Sequence, residues 1–131
     1  MSGRASDRVQ RKVLAAGALL AAGGIMLGAF AAHALRDLLD QAQSGWWHTA
    51  VQYQMWQAIG LIALAAAPLD RIGRAAALIA AGTLIFSGSL YGMALTELRW
   101  LGAVTPVGGA LMIGGWLMVA WAAGHGGRGK D

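Results

Sequence analysis

Polar side chains capable of chemistry stand inside the apolar stretches of this 131-residue sequence. Such groups are costly in a hydrocarbon layer, which makes them functional candidates by default. The candidates for a polar cluster or ligand site are His33, His48, Gln52, Tyr53, Gln57, Ser87, Ser89 and Tyr91. We expect one cluster, in the outer half of a membrane-spanning bundle and above a dry Ala/Leu/Gly inner half, because unpaired polar groups in hydrocarbon must pair. Its predicted nucleus is His33, Gln52, Tyr53 and Ser87.

Four kinds of chemistry fit these residue types to different degrees. His33 and His48 have the side chains of axial haem ligands, but two lone histidines near an interface are more often hydrogen-bonded or solvated. Gly88–Gly92 reads G-S-x-x-G, which is not the G-x-S-x-G elbow of a serine hydrolase. No Asp or Glu lies inside a predicted span, which excludes a proton-coupled multidrug transporter. A quinone or lipid site near Trp56 stays open, although hydrogen bonds between helices are the favoured interpretation.

The composition indicates which elements position these groups. Hydrophobic residues make up 57% of the chain, charged residues only 12%, and the mean hydropathy is +0.54, whereas about a quarter of the residues are charged in a soluble domain. A soluble globule and a nucleic-acid-binding domain are therefore excluded, despite a pI near 10.4. Four uncharged stretches are long enough to cross a bilayer, which takes about 20 apolar residues. They cover residues 13–35, 47–67, 75–96 and 105–123.

These stretches predict an all-α fold, in which residues 1–131 form a single membrane domain. Because the connections are short, we expect a four-helix up-down bundle, with a short interfacial helix in the loop over residues 36–46. Most basic residues fall in the two tails and the second loop, which places both termini in the cytoplasm under the positive-inside rule. Those residues are Arg4, Arg8, Arg11, Lys12, Arg71, Arg74, Arg128 and Lys130.

Two G-x-x-x-G motifs predict close helix packing. Gly24 and Gly28 form the first motif, and Gly88 and Gly92 form the second. This spacing removes two side chains from one helix face and lets backbones approach. Packing within one monomer is favoured over self-association, because Gly and Ala are abundant throughout the chain.

Several blocks of the sequence resemble one known family. They are Gly28–Leu35, Thr49–Gln54, Phe86–Tyr91, Trp100–Gly102, Thr105–Gly109 and Gly115–Trp116. Together they are similar to the domain of unknown function 423 family, small bacterial membrane proteins that are themselves similar to the mitochondrial transmembrane protein 256. The resemblance covers about residues 13–122 and implies a multi-pass protein of the bacterial inner (plasma) membrane with four spans and no established activity.

Two positions depart from the family pattern. Gln57 stands where the family usually has the histidine of Y-Q-x-x-H-A, and Glu97 stands where glycine is frequent. If that histidine were a metal or haem ligand, this chain would lack it. We therefore predict no metal and no cofactor, and we predict no catalytic residue because no acid–base or nucleophile–base pair can be placed by spacing.

The expected role is that of an accessory or assembly partner of a larger membrane complex, with a respiratory complex as one candidate. Short loops leave almost no water-exposed surface for catalysis, and no acid–base or nucleophile–base pair stands out by spacing. The expected partners are the lipid bilayer and either a membrane protein or further copies of this chain, and no nucleic acid. The alternative is a lipid- or quinone-binding membrane protein with a polar pocket in the outer leaflet.

Overall fold

The computed structural model describes residues 2–126, which are entirely helical apart from their connections. Four α-helices and one short 3₁₀ helix follow one another along the chain. They are α1 (Ser2–His33), α2 (Gln41–Ala66), α3 (Gly73–Thr96), the 3₁₀ helix Arg99–Ala103 and α4 (Thr105–His125). The all-α class predicted from the sequence is confirmed.

Helix α1 begins much earlier than the predicted residue 13. Its first three turns carry the basic residues of the N-terminal segment and remain helical. Val13 is 5% exposed and belongs to the same hydrophobic cluster as Ile72 of the α2–α3 connection, and Val9 packs against this cluster. Hydropathy detects the part of a helix that crosses hydrocarbon, so the polar continuation of the same helix gave no signal.

Helix α2 also begins earlier than predicted, and the interfacial helix expected over residues 36–46 is wrong. Turns occupy residues 34–39, and α2 follows directly. The Asp40 carboxylate accepts a hydrogen bond from the Gln43 backbone N–H at 2.8 Å, and the Gln43 side-chain oxygen accepts one from the Asp40 N–H at 2.9 Å. This reciprocal capping box satisfies two backbone donors at the helix start and fixes its first residue.

Each helix packs on its neighbour in sequence: α1 on α2, α2 on α3, and α3 on α4. Helix α1 also reaches α3, whereas α1 and α4 do not pack on each other within residues 2–126. Gly17 lies against Ile62 and Gly28 lies against Val51, so α1 and α2 run in opposite directions. The centre of the fold is therefore the α2–α3 pair, with α1 and α4 on its flanks.

Glycine brings α3 and α4 close together. A Cβ atom added at Gly82 would lie 2.7 Å from the Gly108 carbonyl oxygen. A Cβ atom added at Gly115 would lie 2.9 Å from the Ala75 carbonyl oxygen. Small residues at such crossings allow backbone-to-backbone packing, which is the main source of helix association in a membrane.

Three helical segments within residues 2–126 are long and apolar enough to cross a membrane. They are Gly3–His33, Gly73–Thr96 and Arg99–His125. Helix α2, the second of the four predicted spans, falls short because Gln52, Gln54 and Gln57 lower its hydropathy. Large apolar side chains stay exposed on both flanks, including Met26 (71% exposed) on α1 and Trp121 (67% exposed) on α4.

Candidate polar site

The polar centre of the structure is Gln54, on the buried face of α2. Its side chain is 7% exposed. The Tyr91 hydroxyl donates to the Gln54 Oε1 at 2.7 Å, and the Gln54 Nε2 donates to the Leu20 carbonyl oxygen at 2.9 Å. One amide thus joins α1, α2 and α3.

Trp47 extends this centre toward the start of α2. Its side chain is 3% exposed, and its Nε1 donates to the Leu27 carbonyl oxygen at 2.9 Å. The edge-to-face contact between the Trp47 and Tyr91 rings has a centroid distance of 4.7 Å. The Tyr91 ring is therefore held by an aromatic contact, and its hydroxyl is held by Gln54. Together the two contacts fix the orientation of the side chain.

The serines of α3 join its neighbours on both sides. The Ser87 hydroxyl donates to the Ala50 carbonyl oxygen of α2 at 2.7 Å. The Ser89 hydroxyl is hydrogen-bonded to the Thr105 hydroxyl of α4 at 2.6 Å. Ser87 and Ser89 point to different neighbours because residues two apart lie on nearly opposite sides of a helix.

Gln57 pairs with α4 through a long side chain. The Trp116 Nε1 donates to the Gln57 Oε1 at 2.6 Å, and the Trp116 ring lies over Gly60. Among residues 2–126, no buried side-chain nitrogen or oxygen lacks a hydrogen-bond partner. The buried polar side chains of these residues are therefore paired with backbone carbonyl oxygens or with other side chains of the same chain.

Within residues 2–126, no hydrogen bond joins the four residues of the predicted nucleus to one another. Ser87 is buried, but His33 and Gln52 are exposed. Tyr53 is half-buried and makes tilted ring contacts with Trp56 and Phe86, with centroid distances of 5.1 and 4.5 Å. The interior position belongs to the neighbouring amide, Gln54.

A recognisable signal marked Gln54. Ala50 and Ala58, which stand four residues before and after it, are both fully buried. Small residues at this spacing define the face on which two membrane helices approach. Gln54 lies in the middle of that face, whereas Gln52 is about 200° away around the helix.

The two G-x-x-x-G motifs have different surroundings. Gly24 lies against Met55, and Gly28 lies against Val51, so the first motif packs on α2 of the same chain. A Cβ atom at Gly92 would contact Leu101 at 3.2 Å. A Cβ atom at Gly88 would meet nothing within 4 Å among the described residues, so the predicted packing role of Gly88 is not seen.

A lateral groove opens between the end of α1 and the start of α2. Its volume is about 350 Å³. Its lining residues are Gly28, Ala31, Ala32, Leu35, Leu39, Ser44, Trp47, His48 and Val51. The groove has apolar walls and two polar side chains, Ser44 and His48. Trp56, near which a pocket was predicted, lies outside this lining.

A second groove lies at the opposite end of the same helix pair. It has a volume of about 380 Å³, and Asp7, Gln10 and Arg11 stand beside four apolar residues in its lining. Within residues 2–126, no group of three or more His, Cys, Asp or Glu side chains is arranged to hold a metal ion.

A known family matches the part of the chain that contains these features. The family described as "Protein of unknown function (DUF423)" matches residues 27–109. The chain belongs to this family. The matched region contains Trp47, Gln54, Tyr91 and every lining residue of the α1–α2 groove. The resemblance seen in the sequence is confirmed.

Similar proteins occur in several bacteria. The UPF0382 membrane protein YwdK of Bacillus subtilis is 45% identical over 111 residues, covering 81% of this chain and 88% of that protein. A UPF0382 membrane protein of Staphylococcus haemolyticus is 42% identical over 106 residues, covering 79% of this chain and 87% of that protein. The UPF0382 inner membrane protein YgdD of Escherichia coli is 38% identical over 99 residues, covering 72% of this chain and 76% of that protein. No solved structure matches the chain.

These relatives and the three apolar helices settle the location of the protein. It is a multi-pass protein of the bacterial plasma membrane, and its exposed helix faces contact lipid.

Proposed function

We propose that this protein is a non-enzymatic accessory or assembly partner of a larger membrane complex, with a respiratory complex as one candidate. The observation that carries the proposal is the open arrangement of the helices. Because α1 and α4 do not pack on each other within the described residues, each keeps a long apolar face for another protein. The interior polar groups are already paired, which favours a structural role over catalysis.

The proposal includes a topology in which all four helices cross the membrane, up and down, with both termini in the cytoplasm. Helix α2 has 26 residues and is therefore about 39 Å long, enough to cross about 30 Å of hydrocarbon. Val9 of α1 lies beside Gly73, so the basic start of α1 and the loop with Arg71 share one end of the molecule. Arg128 and Lys130, which also support this orientation, lie outside the described residues.

Reporter fusions test the topology. Fusions of alkaline phosphatase, active only outside the cytoplasm, and of green fluorescent protein, fluorescent only inside, are placed at each terminus and in the loop after α1. We expect fluorescent termini and an enzymatically active loop fusion. Phosphatase activity at either terminus would contradict the proposed orientation.

The α4 flank offers a defined docking face. Ile113, Leu117 and Trp121 are each more than 60% exposed, and their spacing of four residues places them on one side of the helix. We propose that this face contacts the larger complex. On α1, Leu19 is 74% exposed and provides a matched position on the other flank.

Affinity purification in a mild detergent, followed by mass spectrometry, tests the accessory role. The tagged wild-type chain, Leu117→Trp and the control Leu19→Trp are compared. We expect a stoichiometric membrane-protein partner with the wild type and Leu19→Trp, and its loss with Leu117→Trp. Recovery of the wild-type chain alone would refute the accessory role. Equal recovery of the partner with both variants would refute the α4 flank as the docking face.

The α1–α2 groove favours a second candidate function, the binding of a lipid or quinone. Its volume of about 350 Å³ and its apolar walls suit a hydrocarbon chain, while Ser44 and His48 can hydrogen-bond a polar head group. Native mass spectrometry of the wild type, Ala32→Trp and Ala29→Trp tests this candidate. Ala32 lines the groove and Ala29 does not, so ligand loss only in Ala32→Trp supports binding there. A wild-type protein without bound lipid or quinone contradicts it.

A further inference from the structure

The exposed face of α2 carries an amide in an apolar setting. Within residues 2–126, Gln43, Gln54 and Gln57 each hydrogen-bond another helix, whereas the Gln52 amide makes no such bond and points outward. Gln52 lies six residues beyond Trp46, about 9 Å further along the helix. An unpaired amide at that depth is unfavourable by several kcal/mol in hydrocarbon, so a partner that pairs with it is strongly favoured.

The residues around Gln52 form a continuous strip, which we call the α2 strip. Its members are all exposed, and they occur every three or four residues along the helix. They are Gly45, His48, Gln52, Trp56, Ile59, Ala63 and Ala66. Gly45, Gln52, Ile59 and Ala66 are seven residues apart, which is the repeat of a left-handed helix pair. Small residues at both ends allow a second helix to come close.

We propose that two copies of this chain associate through the α2 strip, with the two Gln52 amides hydrogen-bonded to each other across a two-fold axis. Both copies insert in the same orientation, so the axis runs along the membrane normal and each strip residue faces its own counterpart. An amide is suited to this position because it carries both a donor and an acceptor, which makes it complementary to an identical amide. The α1 and α4 flanks remain free in this dimer.

Cysteine cross-linking tests the interface without background, because the chain contains no cysteine. Gln52→Cys and Ile59→Cys are compared with Met26→Cys on α1 and Val107→Cys on α4, both on exposed faces. These controls lie at a depth similar to that of Gln52. On α1, Gly28 packs against Val51 of α2. On α4, Gly109 lies beside Phe86, and the next residue, Ser87, donates to the Ala50 carbonyl oxygen of α2. The purified variants are reconstituted in vesicles of phosphatidylethanolamine and phosphatidylglycerol and oxidised.

We expect disulfide-linked dimers with Gln52→Cys and Ile59→Cys, and none with the two controls. Cross-linking at Met26→Cys or Val107→Cys, or no cross-linking at residues 52 and 59, overturns the proposal. Because purified protein is used, the result does not depend on whether a larger complex exists.

A second measurement isolates the amide. Dimerisation of fluorescently labelled chains is followed by energy transfer as vesicle lipid is added to dilute the protein. Gln52→Leu keeps the apolar shape of the strip but loses the amide pair, and we expect its association to be about tenfold weaker. Gln52→Asn retains an amide and is expected to recover most of the affinity. Unchanged association of Gln52→Leu would show that the amide does not hold the dimer.

Discussion

Replacement of Gln54 and Tyr91 tests whether one buried amide holds the three-helix junction. Tyr91→Phe removes the donor of a 2.7 Å hydrogen bond, and Gln54→Leu also removes the 2.9 Å bond to the Leu20 carbonyl oxygen. Each variant leaves a polar partner unpaired in the interior. We expect losses in the free energy of unfolding of about 1–2 kcal/mol for Tyr91→Phe and about 2–3 kcal/mol for Gln54→Leu.

The double variant isolates the pair itself. If Gln54 and Tyr91 bond each other, the combined loss is smaller than the sum of the single losses by the coupling energy. Coupling energies between membrane helices average about 0.6 kcal/mol and reach about 1.7 kcal/mol. The 2.7 Å distance and the buried position of Gln54 place the expected value near the upper end, at about 1–1.5 kcal/mol.

Unfolding in mixed detergent micelles, at a detergent excess that keeps the chain monomeric, is followed by far-ultraviolet circular dichroism and measures all four free energies. Gln52→Leu is the matched control, because it makes the same chemical change on the exposed face and is expected to alter monomer stability by less than about 0.5 kcal/mol. Additive losses within about 0.3 kcal/mol would refute the direct coupling. A loss for Gln52→Leu as large as that for Gln54→Leu would refute the assignment of the buried face.

Five further substitutions, at four positions, test the backbone features of the fold. Gly115→Ala places a methyl group 2.9 Å from a backbone carbonyl oxygen and is expected to destabilise the fold by about 1–3 kcal/mol. In the control Gly114→Ala the methyl group meets nothing within 4 Å. This control should stabilise the fold by up to about 1 kcal/mol in the same unfolding assay. Glu97→Gly relieves a left-handed residue at φ 58° and is expected to add about 0.5–1 kcal/mol; a loss of stability would contradict this. Asp40→Ala removes the capping carboxylate and should cost about 1 kcal/mol, and Asp40→Asn, which keeps an acceptor, should restore most of it.

The length of the apolar stretches predicted the helices correctly, but it could not predict which side of α2 is buried. In a soluble helix the apolar side faces the core, whereas lipid is as apolar as a membrane protein interior and removes that signal. Gln52, Gln54 and Gln57 point in three directions around α2, so the polar residues alone could not select one. The buried alanines beside Gln54 hold that information, because close approach depends on size and not on polarity.

The helix ends depended on signals other than hydropathy. The start of α2 was encoded in Asp40 and Gln43, a D-x-x-Q capping pattern that hydropathy overlooks. The early start of α1 had no such marker, since Val9 and Val13 pack in a cluster formed by residues distant in sequence, from α2, α3 and their connection. The location of the α1–α2 groove likewise depends on where the turns over residues 34–39 bring the chain back.

The absence of packing between α1 and α4, noted above for residues 2–126, bears on how the protein is made. Among the four α-helices, the two that are furthest apart in the chain and still pack on each other are α1 and α3. The first and last helices therefore do not close the bundle. If the helices enter the bilayer in chain order, each helix after α1 meets the helix it packs on already in place. Assembly can then proceed by adding one helix at a time. Because packed helices are close in sequence, the entropy lost on closing the loops between them is small and adds little to the folding barrier.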